Sequence, residues 1–510
     1  MLETVARELL GAATRHLTGY LVTLFLTSCL LLCIRTCWRW GHKKGSATLP
    51  PGPWGIPLLG NLAILRKDFH RKQGIEWAKK YGPVFRIKIG VRNIVLVSDF
   101  ELIKEILCKK ECLFRPQRWV FKHIGGIGSL NGKAWQENRR YCVKSLRELS
   151  SGKKSMLEHV SEEFQCLRDK VADARGQPLR MRPLLLPAVA NTIAAFVLGS
   201  RYASADPRLA QLEQHLETFV RIFFSVPPVN PLPSWLDWMS PYIPILGEYK
   251  GSKFARDLRK FVGHEINRRL DTLDPDLNRH FIDGYLNMVT QHGAKPDPDV
   301  NPDTLHGSVV DLLIAGSSTV AATILYILLH CAANPDAVQA RIHEEIDAVV
   351  ESCRSPKWED HNGMPYTMAV IWEMYRWKTV STLNLPREVA EDVVLNGYLI
   401  PKGTIVVANN WATHNDPRYW KNPERFDPSR FLTPDESQLL PRPEYLMPFS
   451  IGRRMCPGKA LATVEIFLGV TTLLQKFLVV AEGGPNYCVA TDPFAKLLAQ
   501  GLCFLSRVPE

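Results

Sequence analysis

The 510-residue chain has 12 cysteines but no CxxC pair. Cys108 and Cys112 stand four apart, Cys29, Cys33 and Cys37 repeat at that interval, and the rest are scattered. Zinc spacings and dithiol redox motifs are therefore absent. HEEID at 343–347 lacks the second histidine of a zinc-binding helix. After residue 60 there is no internal repeat and no long Ser/Gly-rich linker, which favours one large domain over the several that the length would allow. The formal charge of +12 comes from dispersed Lys and Arg residues without any accompanying stacking motif. Nucleic acid is thus a poor partner, and an anionic membrane surface or an acidic protein a better one.

Charge is also missing from Leu17 to Ile34, LTGYLVTLFLTSCLLLCI. Those eighteen uncharged residues approach the ~20 that a helix needs to cross a bilayer. Arg35, Arg39, Lys43 and Lys44 follow the run, against Arg7 and Arg15 before it, which orients the bulk of the chain toward the cytosol. A cleaved signal peptide is disfavoured because the run is long and basic residues, not a small-residue cleavage site, follow it. LPPGPWGIPLLGN at 49–61 then reads as a stiff extended spacer. The expected organisation is a lumenal segment 1–16, a transmembrane anchor 17–34, a basic and proline-rich linker 35–60, and a domain 61–510 whose cytosolic thiols stay reduced.

One cysteine has special surroundings. In PFSIGRRMCPGKALATVEIFLG, Cys456 precedes Pro457 and a run of helical apolar spacing that extends through Phe477, so the thiol sits just ahead of a helix N-terminus. Amides and the helix dipole there favour a thiolate. Gly452 and Gly458 allow close backbone approach, and Arg453 and Arg454 add positive charge. Upstream, VVDLLIAGSSTVAA at 309–322 suits a core helix that thins to Gly316, Ser317, Ser318 and Thr319. Ala315, Ser318, Thr319 and Ala322 share one small face by helical spacing. Gly316 with back-bonding hydroxyls makes a local bulge plausible.

Phe449, Gly452, Arg454, Cys456 and Gly458 fill every fixed position of the FxxGxRxCxG loop, and in this the chain resembles the cytochrome P-450 enzymes. The likeness covers nearly the whole chain. Glu373 and Arg376 in WEMYR stand at the ExxR positions, and Arg425 in NPERF matches the arginine that completes that charge cluster. Trp135 and Arg139 in AWQENR match a WxxxR pair that contacts a haem propionate, and Arg387 falls where many relatives carry a propionate-binding histidine. The hairpin segments VFRIKIG with IVLV, at 84–97, and NGYLIPKGT, at 396–404, suit the family's small β region. The resemblance places the chain near the family's second large clan, with animal microsomal character.

The likeness implies a mainly α fold with a small β region, haem b, and Cys456 as the axial thiolate that ligates iron. Arg139, Arg387 and Arg454 would pair the propionates, with Trp135 beside them and Phe449, Gly452 and Gly458 shaping the cysteine loop. Ala315, Gly316, Ser318 and Thr319 would line the oxygen side. Most relatives carry Asp or Glu where this chain has Ser318, which leaves proton delivery open. Asp311, two turns earlier, is the only acid in the stretch, and a capping or solvent role is equally open to it. Substrate contacts would come from 114–131, Phe223, Phe224, Trp235, Val380 to Leu385, Pro493 and Phe494.

The implied activity is insertion of one atom of O2 into a lipophilic substrate, by hydroxylation or epoxidation. Electrons would come from NADPH through a flavoprotein reductase, with cytochrome b5 as a further partner, at the endoplasmic reticulum membrane. Ser318 motivates an alternative, a haem-thiolate isomerase or dehydratase that needs no reductase. A catalytically silent haem-binding membrane protein is a third reading.

Overall fold

A computed structural model describes residues 48–507 apart from 57–58, 67–68, 117–121, 151–153, 226–230, 233, 244–245, 275–278, 292–298, 300, 351–353 and 485–499, together with positions 20, 23 and 27. Apart from positions 20, 23 and 27, the expected anchor lies outside the described residues, with the segment before it, residues 35–47 of the linker, Pro493, Phe494 and the side chains of Phe223, Phe224 and Trp235.

The helices are α1 (Gln73–Tyr81), α2 (Phe100–Cys108), α3 (Gly132–Ser150), α4 (Lys154–Ala172), α5 (Arg182–Leu198), α6 (Pro207–Ser225), α7 (Gly247–Leu270), α8 (Phe281–Gln291), α9 (Pro302–Ala333), α10 (Ala340–Val349), α11 (Pro365–Trp377), α12 (Asn410–His414) and α13 (Lys459–Lys476). Helix α5 is buried from Ala188 through Leu198, α9 is largely buried, and α13 is buried from Val464 through Leu474. Helices apolar on every side must lie inside, and these three pack with α4 to form the principal core. Among the described residues α9 alone is long and apolar enough to cross a membrane, but 67% of its apolar window is buried within the protein, so it is a core helix.

Local chemistry sets where α9 starts. The Asn301 side chain accepts from the Thr304 amide at 3.0 Å, the Thr304 hydroxyl accepts from the Asn301 amide at 3.0 Å, and Pro302 occupies the first turn. Such reciprocal capping satisfies amides that have no intrahelical partner. The helix runs unbroken to Ala333, so the bulge expected at Gly316 is absent. A Cβ on Gly316 would lie 2.7 Å from Ile193 Cδ1. This glycine therefore admits α5 to close contact.

The strands are β1 (Val84–Ile89), β2 (Arg92–Val97), β3 (Arg387–Glu388), β4 (Val393–Leu395), β5 (Tyr398–Ile400), β6 (Ile405–Ala408), β7 (Phe477–Ala481) and β8 (Leu502–Ser506). Order β1-β2-β6-β3 makes the largest sheet, with Val84 opposite Val97, Ile94 parallel to Ile405 and Arg387 opposite Val406. The hairpin expected from alternating residues is present as β1 with β2, and the strand pair that the resemblance put at 396–404 lies at 393–400, β4 with β5 around the Asn396-Gly397 turn. This sheet carries Arg387 to the site described next.

Candidate functional site

The cysteine loop is held by its own backbone. The Cys456 amide donates to Phe449 O at 2.8 Å, and the Met455 amide to Gly452 O at 3.0 Å. Gly452 has φ +74°, and a Cβ there would come within 2.8 Å of Leu107 O, so only glycine fits without displacing backbone. Phe449 meets the Tyr375 ring edge-on at 5.3 Å. Gly458 caps α13, and the helix begins at Lys459, two residues later than Pro457 led one to expect. Nothing lies within 4 Å of a Cβ on Gly458. The Cys456 thiol is free; burial raises its pKa, while the Gly458 amide and Arg139 pull it down.

Four arginines converge beside this loop. Arg454 donates to Leu113 O (2.8 Å), Ile127 O (3.2 Å), Leu130 O (2.7 Å) and Asn131 Oδ1 (3.0 Å), and its guanidinium stacks 3.8 Å from the Trp135 ring. Arg139 donates to Met455 O at 2.7 Å. Arg387 donates to Leu107 O and Cys112 O, both at 3.3 Å. Arg115, in the FRPQR segment, donates to Gly128 O (3.0 Å), Leu385 O (2.9 Å) and Pro386 O (2.8 Å). Burial, reinforced by mutual repulsion, lowers the pKa of Arg454 to about 8 and of Arg115 to about 9. Burial likewise brings Arg387 to about 10, with Cys112 and Cys108 opposing the shift.

Among the described residues no carboxylate is hydrogen-bonded to any of the four. The nearest acid acting on Arg115 is Asp311, and Trp135 Nε1 is buried without an acceptor. Buried cations bonded only to neutral groups are costly without an anion, so this arrangement fits a group that brings two carboxylates. The two propionates of haem meet that requirement, and Cys456 supplies a ligand suited to its iron.

On the other side, α9 exposes Ala315 and Thr319 amid buried neighbours. The Thr319 hydroxyl donates to Ala315 O at 2.7 Å and the Ser317 hydroxyl to Leu313 O at 2.7 Å. Ser318 Oγ is buried and has no hydrogen-bond partner among the described residues. Asp311 sits well inside the helix and does not cap it; its Oδ2 accepts the Gly128 amide at 2.7 Å.

The matching family model is that of cytochrome P450, over residues 50–491. The chain belongs to the cytochrome P450 family. It is 34% identical to cytochrome P450 2J2 of Homo sapiens over 442 residues, covering 85% of this chain and 86% of the relative. Cytochrome P450 2F2 of Rattus norvegicus is 36% identical over 441 residues, 85% of this chain and 88% of its own. Cytochrome P450 2C11 of Rattus norvegicus is 34% identical over 469 residues, 89% and 90% of the two chains. This P450 is accordingly a haem-thiolate monooxygenase that uses O2, a lipophilic substrate and NADPH-derived electrons delivered by a redox partner.

The P450 charge cluster differs from expectation in one member. Glu373 and Arg376, fully buried on α11, form a bidentate pair with Arg376 Nη2 to Oε1 at 2.6 Å and Nε to Oε2 at 2.7 Å. Burial raises the Glu373 pKa, and Arg376 opposes the shift. Arg425 is exposed and contributes only its carbonyl, which accepts from Arg376 at 3.0 Å. The third cation is Arg430, whose Nε lies 3.5 Å from Glu373 Oε1. P-x-R-F occurs twice, at 423–426 and 428–431, and the second copy supplies the cation. Arg115 was missed as a cation of the site because it was read only as part of a substrate-contact segment; its signal was an arginine directly before Pro116.

Proposed function

We propose that Cys456 ligates the haem iron and that Arg115, Arg139, Arg387 and Arg454, with Trp135 Nε1, hold the two propionates. The observation that carries this reading is four arginines gathered without a bonded carboxylate beside a cysteine at a helix N-terminus. When bound, haem supplies the redox centre at which O2 is reduced and split. The loop bonds of Cys456 and Met455 keep the thiol at the helix N-terminus, where amides favour its charged form. Thr319 and Ala315 line the oxygen side, with the Thr319 hydroxyl free to exchange its bond to Ala315 O for one to water.

The finer assignments extend this reading. Residues 17–34 form a single anchor in the endoplasmic reticulum membrane, with the domain 61–510 on the cytosolic side, supported by the four basic residues that follow the run. A flavoprotein reductase and cytochrome b5 dock on a hollow of about 550 Å³ bordered by Arg139, Arg140, Lys144, Arg147 and Arg453, with Glu148 as its one acid. The hollow is close to the thiolate loop, since Arg139 bonds Met455.

The reduced, CO-bound protein is expected to give the red-shifted Soret band of a thiolate-ligated haem, lost in Cys456→Ala. An unchanged band in that variant would assign the ligand elsewhere. Product should form only with NADPH and reductase; equal turnover without them would favour isomerase or dehydratase chemistry.

A further inference from the structure

Monooxygenation by this P450 consumes two protons per turnover, because one atom of O2 enters the substrate and the other, with two electrons and two protons, leaves as water. Helix α9, which carries Ser318 and Thr319, is mostly apolar. Beyond its first turn α9 contains one acid, Asp311. Seven residues separate it from Ser318, which puts both on one face about 10.5 Å apart along the axis. Between them lies Ala315, exposed and small. Ser318 Oγ is buried with no hydrogen-bond partner, although a hydroxyl can both give and take a proton.

Asp311 is itself held in place. Gly125 and Gly126 press backbone to backbone on Gly307, and the Gly128 amide bonds Asp311 Oδ2. Oδ1 makes no hydrogen bond among the described residues and is available to carry a proton.

We propose that Asp311 is the proton source for oxygen activation, passing protons through ordered water to Ser318 and on to Thr319. The inference rests on the monooxygenase reading. An O–H bond of the Asp311 carboxyl breaks as one to water forms, each hydroxyl along the chain gives one proton and takes one, and bulk water reprotonates the carboxylate. The carboxyl has its pKa raised to about 7 by burial, against the Gly128 amide and Arg115, so it releases and recovers protons at neutral pH. The other groups turned toward it are few. Cys142 on α3 is a neutral thiol with its pKa far above the usual range.

Asp311→Asn separates this role from loop anchoring, because its amide oxygen still accepts the Gly128 N–H but cannot deliver a proton. With holoenzyme, reductase and a spectrally confirmed ligand, product formed per NADPH should fall about tenfold, hydrogen peroxide should rise, and the decline of coupling above pH 7 should disappear. Ser318→Glu in the Asp311→Asn background should restore coupling by putting an acid next to Thr319. Asp311→Asn that couples like the parent at every pH would overturn the proposal and leave only the anchoring role. If that variant does not take up haem, Ser318→Glu alone decides: its coupling should no longer depend on pH near 7, and an unchanged profile would overturn the proposal. A parent enzyme that yields no NADPH-dependent product would instead overturn the monooxygenase reading.

Discussion

Arg430 and Arg425 stand five residues apart in two copies of one motif, yet only Arg430 reaches Glu373. Removing Arg430 leaves that buried carboxylate with Arg376 and the Asp427 amide, so Arg430→Ala should cost about 1–3 kcal/mol. Arg425→Ala should stay within about 0.5 kcal/mol, as for an exposed side chain. Thermal release of haem measures both, and equal effects would return Arg425 to the cluster. Glu465 makes a second residue-scale case: it is 1% exposed on α13, its Oε1 is bonded to the Thr192 hydroxyl, and Oε2 has no partner. Because that hydroxyl also lies 2.8 Å from Val189 O and owns a single hydrogen, a protonated Glu465 satisfies the group best. Burial accordingly raises its pKa to about 8, with Thr192 opposing. A folded pKa above the unfolded value adds stability that is present at low pH and lost as pH rises toward 8. The parent should therefore lose stability between about pH 4.5 and 8 relative to Glu465→Gln, by up to a few kcal/mol at about 1.4 kcal/mol per unit. Parallel curves would show that Glu465 is not protonated.

At the scale of elements, the sequence made fixed spacings legible and hid neighbours. FxxGxRxCxG and ExxR are short and local, so Cys456, Glu373 and Arg376 stood out before any fold was known. Which face of α9 meets which helix is not local. The small residues of AGSST look alike in sequence, but Ala315 and Thr319 are exposed while Gly316 faces α5. Ser317 and Thr319 bond back to carbonyls without interrupting the helix, so a glycine with hydroxyls did not make a bulge. Overpacking supplies the test. Gly316→Val should destabilise by about 1–3 kcal/mol, since two methyl groups enter where Ile193 already lies. Ile193→Ala in the same chain should recover part of that loss, a coupling that a double-mutant cycle reads directly. Additive losses would mean the two residues do not share the contact.

The whole molecule assembles the site from distant segments: Arg454 bonds Leu113 341 positions away, and Arg115 bonds Leu385 270 positions away. Periodicity cannot report such ties, which is why Arg115 escaped notice despite its buried place among the other cations. Charge acts at the same scale. The +12 excess is dispersed in the sequence, but the fold brings five cationic residues and one acid to a hollow bordering the cysteine loop. Facing charges accelerate docking of an acidic partner by tens of fold or more at low salt, and the gain fades as the Debye length shrinks to about 8 Å at physiological ionic strength. Arg140 and Lys144 are exposed on that border and hold no site group. Arg140→Glu with Lys144→Glu should slow the first electron transfer from reductase about tenfold at low salt and flatten its salt dependence. Reduction by dithionite, which needs no protein docking, should proceed at the parent rate. Equal slowing by both reductants would place the defect inside the haem site, and an unchanged reductase rate would move the docking face elsewhere on the molecule.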